Sequence, residues 1–164
     1  MKSKAVEKFN QIVGKGPSDD PIILAKQVGD QSTILLEEVL ETKEASKKID
    51  WLEMLDGVCD EWFVASEHIT QLESIGINVK KAFKDVCENN SLKYTTSREL
   101  VEKWYTWNTE VKNEQCHIHE SVYEGETYYC VRRNEDNKVL KWEGFPKVDL
   151  TKYIPKELLL NKED

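Results

Sequence analysis

Between Leu35 and Asp60 the chain places two acidic groups at helical spacing, Glu37-Glu38-x-x-Glu41 and Glu53-x-x-Asp56-x-x-x-Asp60. Neighbours on a helix face are three or four residues apart. Glu38 and Glu41 therefore share one face, and Glu53, Asp56 and Asp60 share a face of the next helix. Two successive helices so marked must either hold these faces in water or turn them towards something positive. Glu38, Glu41 and Asp56 have no Lys or Arg four residues away, and Glu37/Glu41 and Asp56/Asp60 are like-charge pairs. Each such pair costs about 0.2–0.5 kcal/mol, and a bound cation reverses the sign. All-carboxylate ligation suits magnesium, or manganese. The competing reading is a solvated acidic helix pair in a chain of net charge -8. Leu52, Leu55, Cys59 and Phe63 run as an apolar stripe beside the second cluster, so its acids are expected to be half in water.

The segment LLEEVLE followed by EMLDGVCDEWFV resembles the signature of the all-α nucleoside triphosphate pyrophosphohydrolases, the MazG-like and phosphoribosyl-ATP pyrophosphohydrolase-like group. The opening VEKFNQIVG, the segment GINVKKAFKDVCENNSLK and the closing KVLKWEGFPKVDLTKYIP fall in the order of its phage-type members. The resemblance implies a mainly α fold, a helical bundle with a small C-terminal β-meander. It also implies magnesium-dependent cleavage of a nucleoside triphosphate to the monophosphate and pyrophosphate. Glu38 and Glu41 are then metal ligands from the first helix, and Asp56 and Asp60 from the second. Gly57 departs from the pattern, since many members carry a glutamate there. In a second register Glu53 and Asp56 form the pair and Asp60 stands further out. Glu37 or Glu38 takes the proton of the attacking water. Asn10, Gln31, Asn90 and Lys93 are the implied nucleotide contacts. The family pairs its helices across subunits, so a homodimer or homotetramer is expected, with Trp51, Trp62 and Trp104 as residues to bury there. A phosphoribosyl-ATP-type hydrolase and a noncatalytic acidic helical interaction protein are the alternatives.

Taken in order, residues 3–13 read as a short helix stopped by Gly14, and Gly16, Pro17 and Pro21 mark a linker. Gly14-Lys15-Gly16 lacks the spacing of a phosphate loop. A helix is expected over 22–47, bent near Gly29, with Leu35, Leu36, Val39 and Leu40 packed away from the acids. Asp50 caps the next, which runs to Ser74 before Gly76, and Glu53 completes a capping box. Further helices are expected over 78–92, with a C-cap as the structural alternative for Asn90, and over 97–108, capped by Ser97. Beyond residue 110 the Tyr- and Val-rich HIHESVYEGETYYCVRR reads as strands turning at Glu124-Gly125. The division is thus a bundle over 1–110 and an appendage over 111–164, ending in an arm and a charged tail. Cys116, His117 and His119 lack a second pair at zinc-finger spacing and read as strand residues. The four cysteines show no C-x-x-C pair and are expected reduced.

A pI near 5.1 argues against nonspecific nucleic-acid binding. No window approaches the roughly 20 apolar residues of a membrane span, and a cytoplasmic protein, in the host cytoplasm if viral, is expected.

Overall fold

A computed structural model of the chain describes residues 3 to 159. Helix α1 spans Lys4–Ile12, α2 Pro21–Lys48, α3 Trp51–Ser74 and α4 Val79–Ser91. Strand β1 (Tyr94–Thr95) and helix α5 (Arg98–Thr106) follow, the latter running into a π-helical turn at Trp107–Val111. Strands β2 (Cys116–Tyr123) and β3 (Glu126–Arg133) precede a 3-10 turn at Thr151–Tyr153 and the short helix α6 (Lys156–Leu159). The protein is mainly helical with a small antiparallel sheet, as its periodicity implies. The expected charged tail lies outside the described residues.

Capping chemistry fixes the helix ends. Asp20 accepts hydrogen bonds from the Ile22 and Ile23 N–H groups, and Pro21 occupies the first helical position of α2. α2 continues unbroken through Gly29 and stops at Ile49, whose φ of +57° is left-handed. Asp50 then accepts from Leu52 and Glu53 N–H, both at 3.2 Å, and α3 begins. Two residues therefore turn α2 back on α3 as an αα-hairpin.

The chain forms two compact units, 3–82 with 150–159, and 83–149. This division falls inside α4, whereas sequence character changes near residue 111.

In the first unit α2 and α3 pack along most of their length. Gly57 is buried, and a methyl group there would sit 2.3 Å from Thr42 Oγ1 and 3.3 Å from its Cβ. Glycine at 57 is what lets α2 approach so closely. Phe9 of α1 meets Phe63 of α3 edge to face at 5.4 Å. The returning C-terminal segment is tied by Asn78 N–H to the Tyr153 carbonyl at 3.0 Å. Apolar residues expected to be packed lie open instead. Leu36, Val39 and Leu40 on α2 are exposed, as are Leu52, Leu55 and Trp62 on α3. Among the described residues of this unit nothing covers these faces, because the α2–α3 seam is lined by other residues.

The second unit has its own core, where Val101, Trp104, Cys116 and Val131 are buried between α5 and the sheet. The sheet order is β1-β3-β2. Glu124 and Gly125 both have positive φ, the geometry of a tight hairpin turn. β1 was not expected; two residues carry no period, and only pairing with Tyr129 and Cys130 defines them. The KVLKWEG stretch contributes just one bridge, Arg132 with Val139. Trp104, expected at a subunit interface, instead stacks on Trp142 at 5.8 Å inside this core.

Gly57→Ala should lower stability by about 1–3 kcal/mol, the usual cost of overpacking. Denaturant melts check this, and Thr42→Ala in the same chain should return most of the loss.

Candidate functional site

The hairpin sets which residues of α2 and α3 face each other. Ser32 Oγ lies 3.4 Å from His68 Nε2, and Thr42 lies against Gly57. In that antiparallel register Glu38 falls opposite Asp60 and Glu61. Glu41, Glu53, Asp56 and Asp60 line one cleft of about 300 Å³, together with Gly57 and Ala45. Lys48 is the cationic residue on its wall. Two further acids there are already engaged, Asp50 as the α3 cap and Glu44 with Lys47. Among the described residues the Glu41, Glu53, Asp56 and Asp60 carboxylates make no hydrogen bond or ion pair. Glu53 does not close the capping box, so its side chain is available to the cleft.

Glu38 borders this group. Its burial, and then the charges of Asp60, Glu41, Glu37 and Asp56, push its carboxyl above the ordinary value. Acids from both helices thus act on one another across the seam. Exposure is reversed from expectation: Glu53, Asp56 and Asp60 are exposed, and Glu38 is the half-buried member. The stripe of Leu52, Leu55 and Cys59 that was to shelter the second cluster is itself open. Glu37 points to solvent. Among the described residues no three acidic, His or Cys side chains converge closely enough to hold a metal ion. Like charges with nothing positive between them separate, and exposed carboxylates turn freely to do so. The donor set fits magnesium or manganese by chemistry, and closure around an ion requires side-chain rotation on fixed helices.

Further along the same seam the residues are buried and polar. Asn10, Gln31, Ser66, Glu67, Thr70 and Gln71 are all buried. Gln31, Glu67 and Gln71 line a cavity of about 200 Å³ with Lys15, Gln27 and Asp30. Gln71 Nε2 donates to Glu67 Oε1 at 3.3 Å. Gln71 Oε1 and Asn10 Oδ1 are buried with no hydrogen-bond partner. Burial raises the Glu67 carboxyl above its ordinary value, opposed by the Asn10 amide and by the charges of Lys15 and His68. Buried acceptors without donors cost about 1–3 kcal/mol each unless water or a ligand satisfies them. Two of the expected nucleotide contacts, Asn10 and Gln31, belong to this cluster.

Asn90 and Lys93 belong to the second unit, where the Asn90 carbonyl accepts the Lys93 N–H at 3.1 Å. Neither side chain makes a hydrogen bond or ion pair among the described residues. Sequence reasoning overlooked Glu67, Gln71 and Lys15. The signal was present for two of them: Gly57, Asp60, Val64, Glu67 and Gln71 recur at three- and four-residue steps on one face.

The comparisons with known proteins add nothing to this geometry: no family model, no curated protein and no solved structure matches the chain. No helix among the described residues is long and apolar enough to cross a membrane.

Glu67 has a raised folded-state pKa, so the stability it contributes is full below its unfolded value near 4.5 and is lost as pH rises through the raised value. Glu67→Gln should therefore melt higher than the parent at pH 7 and alike at pH 4. Paired thermal melts across that range check it.

Proposed function

We propose that this chain is a magnesium-dependent nucleoside triphosphate pyrophosphohydrolase of the all-α, MazG-like kind. The observation that carries the reading is the order of groups along one seam. Carboxylates of both helices line a cleft at one end, and a buried polar cluster with two unsatisfied acceptors lies at the other. From Gln31 to Glu41 is ten residues of helix, about 15 Å, which matches an extended nucleoside triphosphate.

In this reading Glu38, Glu41, Asp56 and Asp60, with Glu53, hold one or two magnesium ions. The bound metal supplies Lewis acidity to phosphate oxygens and lowers the pKa of a water. In the proposed reaction a water would add to the α-phosphorus, the bond to the bridging oxygen of the β-phosphate would break, and monophosphate and pyrophosphate would leave. The proton goes to a carboxylate of the Glu37–Glu38 pair. At the polar end Asn10 Oδ1 and Gln71 Oε1 accept from N–H or O–H groups of base and sugar, with Gln31 and Lys15 on the wall. A site that must pair buried acceptors discriminates strongly among ligands. Asn90 and Lys93 enter only through the family resemblance.

A second copy of the chain is part of the proposal. Trp51 is 76% exposed and Leu55 63%, with Leu52, Val58 and Trp62 beside them on α3. Isolated exposed apolar residues are ordinary, but a run of five on one helix marks an interface.

Three measurements test this. Purified protein with magnesium and each ribo- and deoxyribonucleoside triphosphate should release pyrophosphate from at least one, and Glu38→Gln or Asp60→Asn should cut the rate by a hundredfold or more. Intact triphosphates throughout, with no magnesium-dependent rise in melting temperature, favour the noncatalytic acidic module instead. Light scattering should give a dimer or tetramer, and Leu55→Glu should shift it towards monomer.

A further inference from the structure

The second unit carries a concavity on the outer face of its sheet. Side chains alternate along a strand, so Cys116, Ile118 and Val131 turn inward to α5 while their neighbours turn out. The register opposes Ser121 to Tyr128, His119 to Cys130 and His117 to Arg132 on that outer face. Tyr94 of β1 stands opposite Cys130 from the other side. Tyr94, Ser121, Tyr123, Tyr128, Tyr129 and Cys130 line a space of about 350 Å³. The Tyr94 and Tyr128 rings meet edge to face at 5.6 Å. This volume is that of a small-molecule site, and its walls are largely aromatic.

One step along β3 from Cys130 is Arg132, two residues away and so about 6.6 Å on the same face. Arg132 is half-buried, and its Nε is buried with no acceptor. Among the described residues it has no ion-pair partner, in contrast to Arg98 and Arg133. Burial pushes the Cys130 thiol above its ordinary value, and the charge of Arg132 opposes that rise. A buried guanidinium Nε–H without an acceptor is costly, and an anion supplied from outside removes that cost.

We propose that this tyrosine-lined face is a nucleotide-binding site, stacking a base on the Tyr94, Tyr123 and Tyr128 rings while Arg132 takes the phosphate. The Ser121 hydroxyl lines the same space and can meet the polar edge of a base, while the Tyr128 hydroxyl already donates to Glu126 Oε2 at 2.7 Å. A neutral sugar leaves Arg132 unpaired, and an apolar peptide leaves it unpaired as well. An aromatic base and an anion are joined in a nucleoside monophosphate and in a single nucleic-acid strand alike. The site is independent of the hydrolase reading, since every residue named belongs to the second unit.

The test is titration, in EDTA, with adenosine 5′-monophosphate, with adenosine, and with a short single-stranded deoxythymidine oligomer, followed by tyrosine NMR signals. The monophosphate should bind at least about tenfold more tightly than adenosine, and Arg132→Gln should abolish that difference. Tyr123→Ser, at a position 65% exposed and so harmless to folding, should weaken both about tenfold. Tyr128→Phe keeps the ring and should keep binding. Tighter binding of the oligomer than of the monophosphate identifies a strand as the ligand, and the reverse order a free nucleotide. No saturable binding by monophosphate or oligomer, or binding that neither Arg132→Gln nor Tyr123→Ser alters, overturns the proposal. Binding here without pyrophosphate release would leave this site standing and remove the other.

Discussion

The contact between Gly57 and Thr42 governs the first unit. A missing side chain on α3 lets α2 lie against its backbone, and the two-residue turn at Ile49-Asp50 fixes the register in which they meet. Every feature of the candidate site follows from that register. Had the helices stood a methyl group further apart, Glu38 would feel less of Asp60.

The energetic pattern of this hairpin is unusual for two long helices. Helices of this length are ordinarily held by an apolar stripe between them. Here buried Leu24, Ala45 and Val64 are interspersed with Gln31, Glu67 and Gln71, and many large apolar residues face outward. Polar groups inside cost free energy that a ligand can return, while apolar groups outside gain only when covered. Both halves of the pattern support the proposal made above, in which an ion and a polyphosphate would complete the inner seam and another copy the outer faces. The second unit is the opposite case. Val101, Trp104 and Val131 close its core within one chain, and Trp142 is tied by its indole N–H to the Leu92 carbonyl at 3.0 Å.

Much of the site was legible because acids at helical spacing announce themselves. Glu41, Glu53, Asp56 and Asp60 line one cleft, though among the described residues they do not converge as a metal-holding group, and Asn10 and Gln31 are both buried in the polar cluster. The departures have physical causes. Trp104 was placed at an interface because the family resemblance implies helices paired across subunits, yet the sheet that covers it lies later in the chain. Gly57 looked like a lost carboxylate, and its structural use is invisible without Thr42 opposite. Arg132 reads as one base among many until its lack of a counter-charge is seen.

The sequence by itself determined where the helices begin and end, which residues share a face, and the turn at Glu124-Gly125, because caps, periods and positive-φ residues act over a few positions. Only the tertiary structure decided which faces meet, that Glu38 rather than Glu53 is sheltered, and that Glu67 and Gln71 join Asn10 and Gln31. Those outcomes depend on contacts between residues tens of positions apart. Burial and electrostatic coupling arise there from packing geometry, which local spacing does not encode.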